Sequence, residues 1–252
     1  MSNNTKEISL YEPIDLLKQV GEDIWIVDGS IVQMAMYGRK IPFPTRMTIV
    51  RLSNGDLWCH SPTELTLELK AQIDSLGSVS HLVSPNKIHY AHIGDWARAY
   101  PQAIAWASPG VRVRAAQQKI KVNFDAELED KSPPQWVKDL DQLIFQGSRF
   151  MEEVVFFHRK SSTLIIADLI ENFEHNKISK RFHWLLTLAG SLDPDGKAPL
   201  DLRMTFWGQK KQARSCLKRI LQWNPEKVIL AHGRWYKNNG TAELRRAFRW
   251  LE

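Results

Sequence analysis

Residues Val83–Trp96 read VSPNKIHYAHIGDW, with two histidines, His89 and His92, three positions apart. They lie between an apolar run, HLV, that reads as the end of a strand and a segment, GDWARAYP, that reads as a helical turn or two stopped by Pro101. Two later apolar runs also end on a polar side chain: TLIIAD on Asp168 and KVILAHG on His232. Layered α/β folds gather their ligand-binding loops at strand ends. His89, His92, Asp168 and His232 are therefore expected to meet in one cleft. Three imidazoles and a carboxylate can hold a divalent ion.

Outward from this stretch the chain alternates strands and helices. DIWIVDG and TRMTIVRL read as strands, and the second meets LWCH through Ser53-Asn54-Gly55-Asp56, a strong hairpin signal. Leu65, Leu69, Ile73 and Leu76 recur at helical spacing before Gly77. VSHLVSP and AIAWASP read as strands on either side of the histidines. SPPQWVKDLDQLIF opens on prolines and spaces its apolar residues like a helix. EEVVFFHRKSSTLIIADL reads as two strands joined by RKSS. HNKISKRFHWLLTLAG, KKQARSCLKRILQW and TAELRRAFRWLE read as helices, and KVILAHG as a buried strand. Both halves repeat the pattern with no linker between them, which predicts one α/β domain over residues 1–252, residues 1–8 being a flexible lead.

The chain has 252 residues, enough for a sizeable core, and a net charge of +6. The basic residues are spread over amphipathic segments such as GQKKQARSCLKR and no nucleic-acid motif accompanies them, which argues against a nucleic-acid partner. No apolar run is long enough to cross a bilayer, and the polar start MSNNTKE is not a secretion signal. These features predict a cytoplasmic protein without a membrane partner. Cys59 and Cys216 form neither a disulfide framework nor a metal knuckle.

The order of elements resembles the metallo-β-lactamase fold superfamily, which includes glyoxalase II and ribonuclease Z. MTIVRLSNGDLWCHSP is similar to that fold's opening hairpin, and HLVSPNKIHYAHIGDWARAYPQAIAWASP to its strand, HxHxDH loop, helix and next strand. STLIIADLI is similar to the strand carrying a metal-bridging aspartate, and VILAHG to the last ligand strand. More narrowly, the chain is similar to a family of uncharacterised bacterial and plant proteins. The resemblance implies a four-layer αβ/βα sandwich, two mixed sheets with helices outside.

The superfamily's motif is degenerate here. With HIG set at its end, His92 is the last histidine and His89 the second, while Lys87 takes the first histidine position and Ala91 the aspartate. Near FQGSRF, where a further histidine is implied, Ser148 is the nearest match. Asp168 matches the bridging aspartate and His232 the final histidine. Lys87 has no lone pair to offer an ion and is expected to pair with Asp168 instead.

The pattern implies a reduced site for one divalent ion (zinc, iron or manganese) and a metal-dependent hydrolase with a small-molecule substrate. The alternative is a metal-free binding or interaction module, and a third reading is an RNA-processing nuclease. His60 ends a strand and is a candidate neighbour of the site, as are Lys87 and Ser148. His81, His158, His175 and His183 are expected to be structural. Phe173, Phe182, Trp184 and Leu185, after Asp168, are expected to line an apolar pocket.

Overall fold

The computed structural model describes residues 8–36 and 39–252. A first sheet holds seven strands in sequence order: β1 (Lys18–Gly21), β2 (Ile24–Met36), β3 (Arg39–Arg51), β4 (Leu57–His60), β5 (Val79–Val83), β6 (Ile104–Ala107) and β7 (Ala126–Glu127). A second holds β8 (Leu140–Phe145), β9 (Glu153–His158), β10 (Thr163–Ile165) and β11 (Lys227–Ile229), ordered β11-β10-β9-β8. Both sheets mix parallel and antiparallel neighbours.

Period-two alternation explains the layers. Along β4, Leu57 and Cys59 turn toward the helices α1 (Leu67–Leu76), α2 (Ile93–Ala99) and α3 (Val111–Gln117), where Leu69, Ile73, Trp96 and Val111 are buried. Trp58 turns the other way, to pack between the sheets with Trp106, Trp136, Val154 and Phe156. From the second sheet Val155, Phe157, Leu164 and Val228 face outward. They meet Leu202 of α5 (Leu200–Met204), Ala213, Cys216 and Ile220 of α6 (Lys210–Gln222) and Leu244 of α7 (Gly240–Ala247), while α4 (Lys180–Ala189) lies over Phe173 and Leu192. Three cores between four layers make the αβ/βα sandwich.

The local signals act as expected at the hairpin and at α1. Asn54 Oδ1 accepts from the Asp56 amide at 3.1 Å between β3 and β4, and Thr66 Oγ1 caps α1 by accepting from the Leu69 amide at 3.1 Å. One segment differs from its periodicity. In SPPQWVKDLDQLIF, residues Leu140–Phe145 are strand β8 rather than helix, paired antiparallel from Leu140↔His158 to Phe145↔Glu153. Trp136 is drawn into the inter-sheet core, and its indole donates to Gln142 Oε1 at 3.0 Å. Burial of that ring and pairing with β9 override the helical spacing. Among the described residues, no helix is long and apolar enough to cross a membrane.

Candidate metal centre

Four strand ends open at one edge of the sandwich. In the first sheet, His60 at the end of β4 pairs with Val83 at the end of β5, and the Ser61 amide donates to the Val83 carbonyl at 2.8 Å. In the second, β10 and β11 run parallel with Ile165 opposite Ile229. Asp168 and His232 each lie three residues past those paired positions, so they arrive side by side.

The loop after β5 folds back at once. The Asn86 side-chain oxygen accepts from the Ile88 amide at 2.9 Å, and the Asn86 carbonyl accepts from the His89 amide at 3.3 Å. This turn brings His89 Nε2 to 3.1 Å from Asp168 Oδ2, while His232 Nε2 lies 3.2 Å from Asp168 Oδ1. One donor atom from each of the three residues lies within 4.8 Å of the others.

The outer contacts fix the chemistry of the rings. His232 Nδ1 is 2.9 Å from the Pro44 carbonyl, which can only accept, so Nδ1 carries the proton and Nε2 keeps a lone pair. That Nε2 is buried with no hydrogen-bond partner and faces a carboxylate oxygen. Two lone pairs at that distance repel unless a proton or a cation stands between them. A divalent ion that takes N and O donors at roughly 2.0–2.2 Å holds adjacent donors about 3 Å apart, so the three residues fit one ion. His89 Nδ1 lies 2.7 Å from Ser61 Oγ, a hydroxyl that can donate or accept.

Asp168 sits in a buried polar network. Asn86 Nδ2 donates to Asp168 Oδ2 at 2.7 Å and to Glu153 Oε2 at 3.0 Å. Glu153 also accepts from the Ala167 and Asp168 amides, each at 2.8 Å. Burial alone would raise the Asp168 carboxyl; when His89 and His232 carry a proton on the nitrogen that faces it, their charge and hydrogen bonds outweigh burial and hold it well below the usual range, the same service a cation between them would render. Glu153 goes the other way, pushed up to about 7 by burial and by repulsion from Asp168. Burial also lifts Glu171 to about 7. His60 is pushed down to about 3 by burial and by His89, and its ring stacks on Trp58 at 5.6 Å between centroids.

The structure brings together His89, Asp168 and His232, with His60 close enough to be influenced by His89 and Asp168. His92 is outside the cluster. It precedes the first turn of α2, its Nδ1 3.9 Å from Asp95 Oδ2 and its Nε2 buried without a partner. The physical reason is the early turn at Asn86: the chain has already folded back by His89, and the next residues enter the helix. With His89 as the last histidine, the HxHxDH pattern begins on Ser84, directly after β5, and places Asn86 and Ile88 at its second histidine and its aspartate.

Lys87 does not reach Asp168 as expected; its ammonium sits 4.1 Å from the centre of the Phe150 ring. Ser148 is also outside the cluster, its hydroxyl bonded to Thr205 Oγ1 at 2.7 Å and to the amides of Phe150 and Met151. The pocket expected after Asp168 is not formed as described. Phe173 is buried, its ring 6.5 Å from that of His232, whereas Trp184 and Leu185 face outward because α4 turns Leu186 toward Phe43 and Phe173. The Phe182 side chain lies outside the described residues.

Sequence reasoning missed Asn86, Glu153, Ser61 and Glu171. A signal for Glu153 exists: it shares a period-two face with Val155 and Phe157, where a solvated acid is out of place.

Among solved structures, the chain is similar to the DIM-1 metallo-β-lactamase exposed to ceftazidime, at 17% identity over 97% of this chain and 98% of that one, with a TM-score of 0.64. It is similar to the FIM-1 metallo-β-lactamase of Pseudomonas aeruginosa in its mono-zinc form, at 11% identity over 98% and 96%, TM-score 0.60. Rubredoxin oxygen:oxidoreductase from Desulfovibrio gigas matches at 11% identity over 94% of this chain and 61% of that one, TM-score 0.61. At such identities the likeness establishes the fold, which is that of the metallo-β-lactamases. No curated protein sequence matches the chain significantly. A family model described as "Domain of unknown function (DUF4336)" matches residues 22–181, well over half the chain, and the chain belongs to that family.

Proposed function

We propose that the protein is a metal-dependent hydrolase with a reduced centre in which His89, Asp168 and His232 hold one divalent ion. The observation that carries this reading is the buried, unpartnered Nε2 of His232 facing Asp168. A bound ion would supply Lewis acidity and a water activated near neutral pH. The chain's own residues do the rest. Pro44 fixes the His232 tautomer, Ser61 holds His89, and Asn86 with Glu153 orients the Asp168 carboxylate. Burial by Phe43 and Phe173 beside His232 keeps bulk water from that ring. A substrate of small size fits this reading.

One observation favours a second reading, a metal-free module. Asn86 donates to both Asp168 and Glu153, so a proton on His232 Nε2 would complete the network without an ion. The two readings separate by elemental analysis and metal titration of protein purified without a histidine tag. The one-ion reading predicts about one ion per chain in the parent and in His92→Gln, with uptake lost in His89→Ala and His232→Ala. A parent that takes up no ion supports the metal-free module, and two tightly bound ions refute the reduced centre.

A further inference from the structure

The helices α4 and α5 are apolar on the side that faces away from the core. In α4, Leu186 turns inward to Phe173 and Leu192. Residues two steps away along a helix lie about 200° round it, so Trp184 and Leu188 point outward together, with Leu185 beside them. In α5, Leu202 faces the core, and by the same rule Leu200 and Met204 point outward. Trp207 follows, one residue past the buried Phe206. Trp184 is 64% exposed, Leu188 65%, Met204 62% and Trp207 78%, while Leu185 and Leu200 are half exposed.

The two helices pack against each other. Just past α4 the Gly190 carbonyl accepts from the Lys197 amide at 3.0 Å, and the Ala189 carbonyl accepts from Arg203 Nη2 at 3.0 Å. These bonds hold α5 to the end of α4, and the outward residues of both make one face. Leu67, Ile120 and Val137 are exposed too, but each belongs to a separate segment. A large aromatic side chain presents about 150–250 Å², so at these exposures the six residues bare on the order of 700 Å² of apolar surface. The largest apolar patch on a typical monomer is about 300–600 Å². A stable protein interface covers about 800 Å² on each partner, which is close to what this face offers.

Composition and charge decide what covers it. Tryptophan and methionine are enriched in the centres of protein interfaces. The rim carries both signs: Lys180 opens α4, whereas Asp195 precedes α5 and Asp201 lies in its first turn, and all three are exposed. An anionic bilayer would meet these carboxylates with repulsion. A second copy related by a twofold axis can set the lysine of each chain toward the acids of the other. We propose that the α4–α5 face is the interface of a symmetric homodimer, with Trp184, Leu188, Met204 and Trp207 at its centre. Since α4 also presses Leu186 onto Phe173, whose ring is 6.5 Å from that of His232, the second copy would brace the wall beside the candidate ligand.

The test is sedimentation velocity of the full-length protein across the micromolar range. The parent is expected to sediment as a dimer. Leu188→Glu and Met204→Glu should each weaken the dimer by at least about tenfold, because a symmetric interface contains every substituted residue twice. Leu188→Ala should weaken it in the same direction by less, and Leu67→Glu, on α1, should match the parent. Equal far-ultraviolet circular dichroism establishes that the variants are folded, and Leu188→Ala decides if the glutamate variants are not. The proposal is overturned if the parent is a monomer throughout, or if the folded variants dimerise like the parent. A monomeric parent that co-sediments with phosphatidylserine vesicles would also overturn it, and would give the face to a lipid surface.

Discussion

The two histidines of the cluster are held in opposite ways. His232 comes from the second sheet and is fixed at its Nδ1 and along its flanking backbone. Its Nδ1 donates to a carbonyl, and the carbonyls of Leu230 and Gly233 both accept from Arg46 Nη1, at 2.7 and 2.8 Å. Arg46 is itself buried against Asp28, which also meets Lys18 at 2.8 Å. Gly233 takes φ +90°, and a Cβ there would lie 2.2 Å from the Asn172 carbonyl oxygen, so only glycine lets the chain turn after the histidine. His89 comes from a loop of the first sheet. Its Nδ1 meets a hydroxyl, which permits either tautomer. One histidine is preset in its tautomer and the other is free to take either.

Breaking the preset arm should have the largest effect. Arg46→Met leaves Asp28 without its closest buried partner and frees two carbonyls, and is expected to cost about 3–5 kcal/mol of stability. A urea melt measures this, and a loss under 1 kcal/mol would show that the arm does not depend on the arginine. Loosening the adjustable arm should matter less. Ser61→Ala is expected to lower metal affinity by about tenfold with the urea midpoint little changed, as when an outer hydrogen bond to a ligand is removed. An unchanged affinity would mean that Ser61 does not orient His89. The smallest effect is expected at Lys87→His, whose side chain points to Phe150. Metal affinity within about twofold of the parent is expected for a residue outside the site. A gain in affinity would restore the pattern register that ends on His92.

The sandwich was legible because its signals are local. Asn54-Gly55, the alternation along LWCH and the buried face of KKQARSCLKRILQW each act within a few residues. Asp168 and His232 were legible as polar ends of apolar runs, and parallel pairing of β10 with β11 sets them together. His89 and His92 could not be told apart, since the choice depends on where the loop turns, and that is set by the Asn86 side chain binding its own backbone. Arg46 was illegible as a site residue because its partners Leu230 and Gly233 are distant in sequence, whereas Glu153 left a sign only in its place on the face of Val155 and Phe157. The segment Leu140–Phe145 misled because its helical spacing is outweighed by its pairing with β9.

The bonds from Arg46 to the segment around His232 span 184 and 187 residues. Contacts so distant form late in folding, since the loop they close carries its full entropy cost before any reward. During synthesis the first sheet and its three helices can collapse around their own core, but Pro44 and Arg46 have nothing to hold until the segment around His232 emerges. The cluster is thus an end-point reporter of folding, and a chain stalled before β11 would own the loop of His89 without a place to hold an ion.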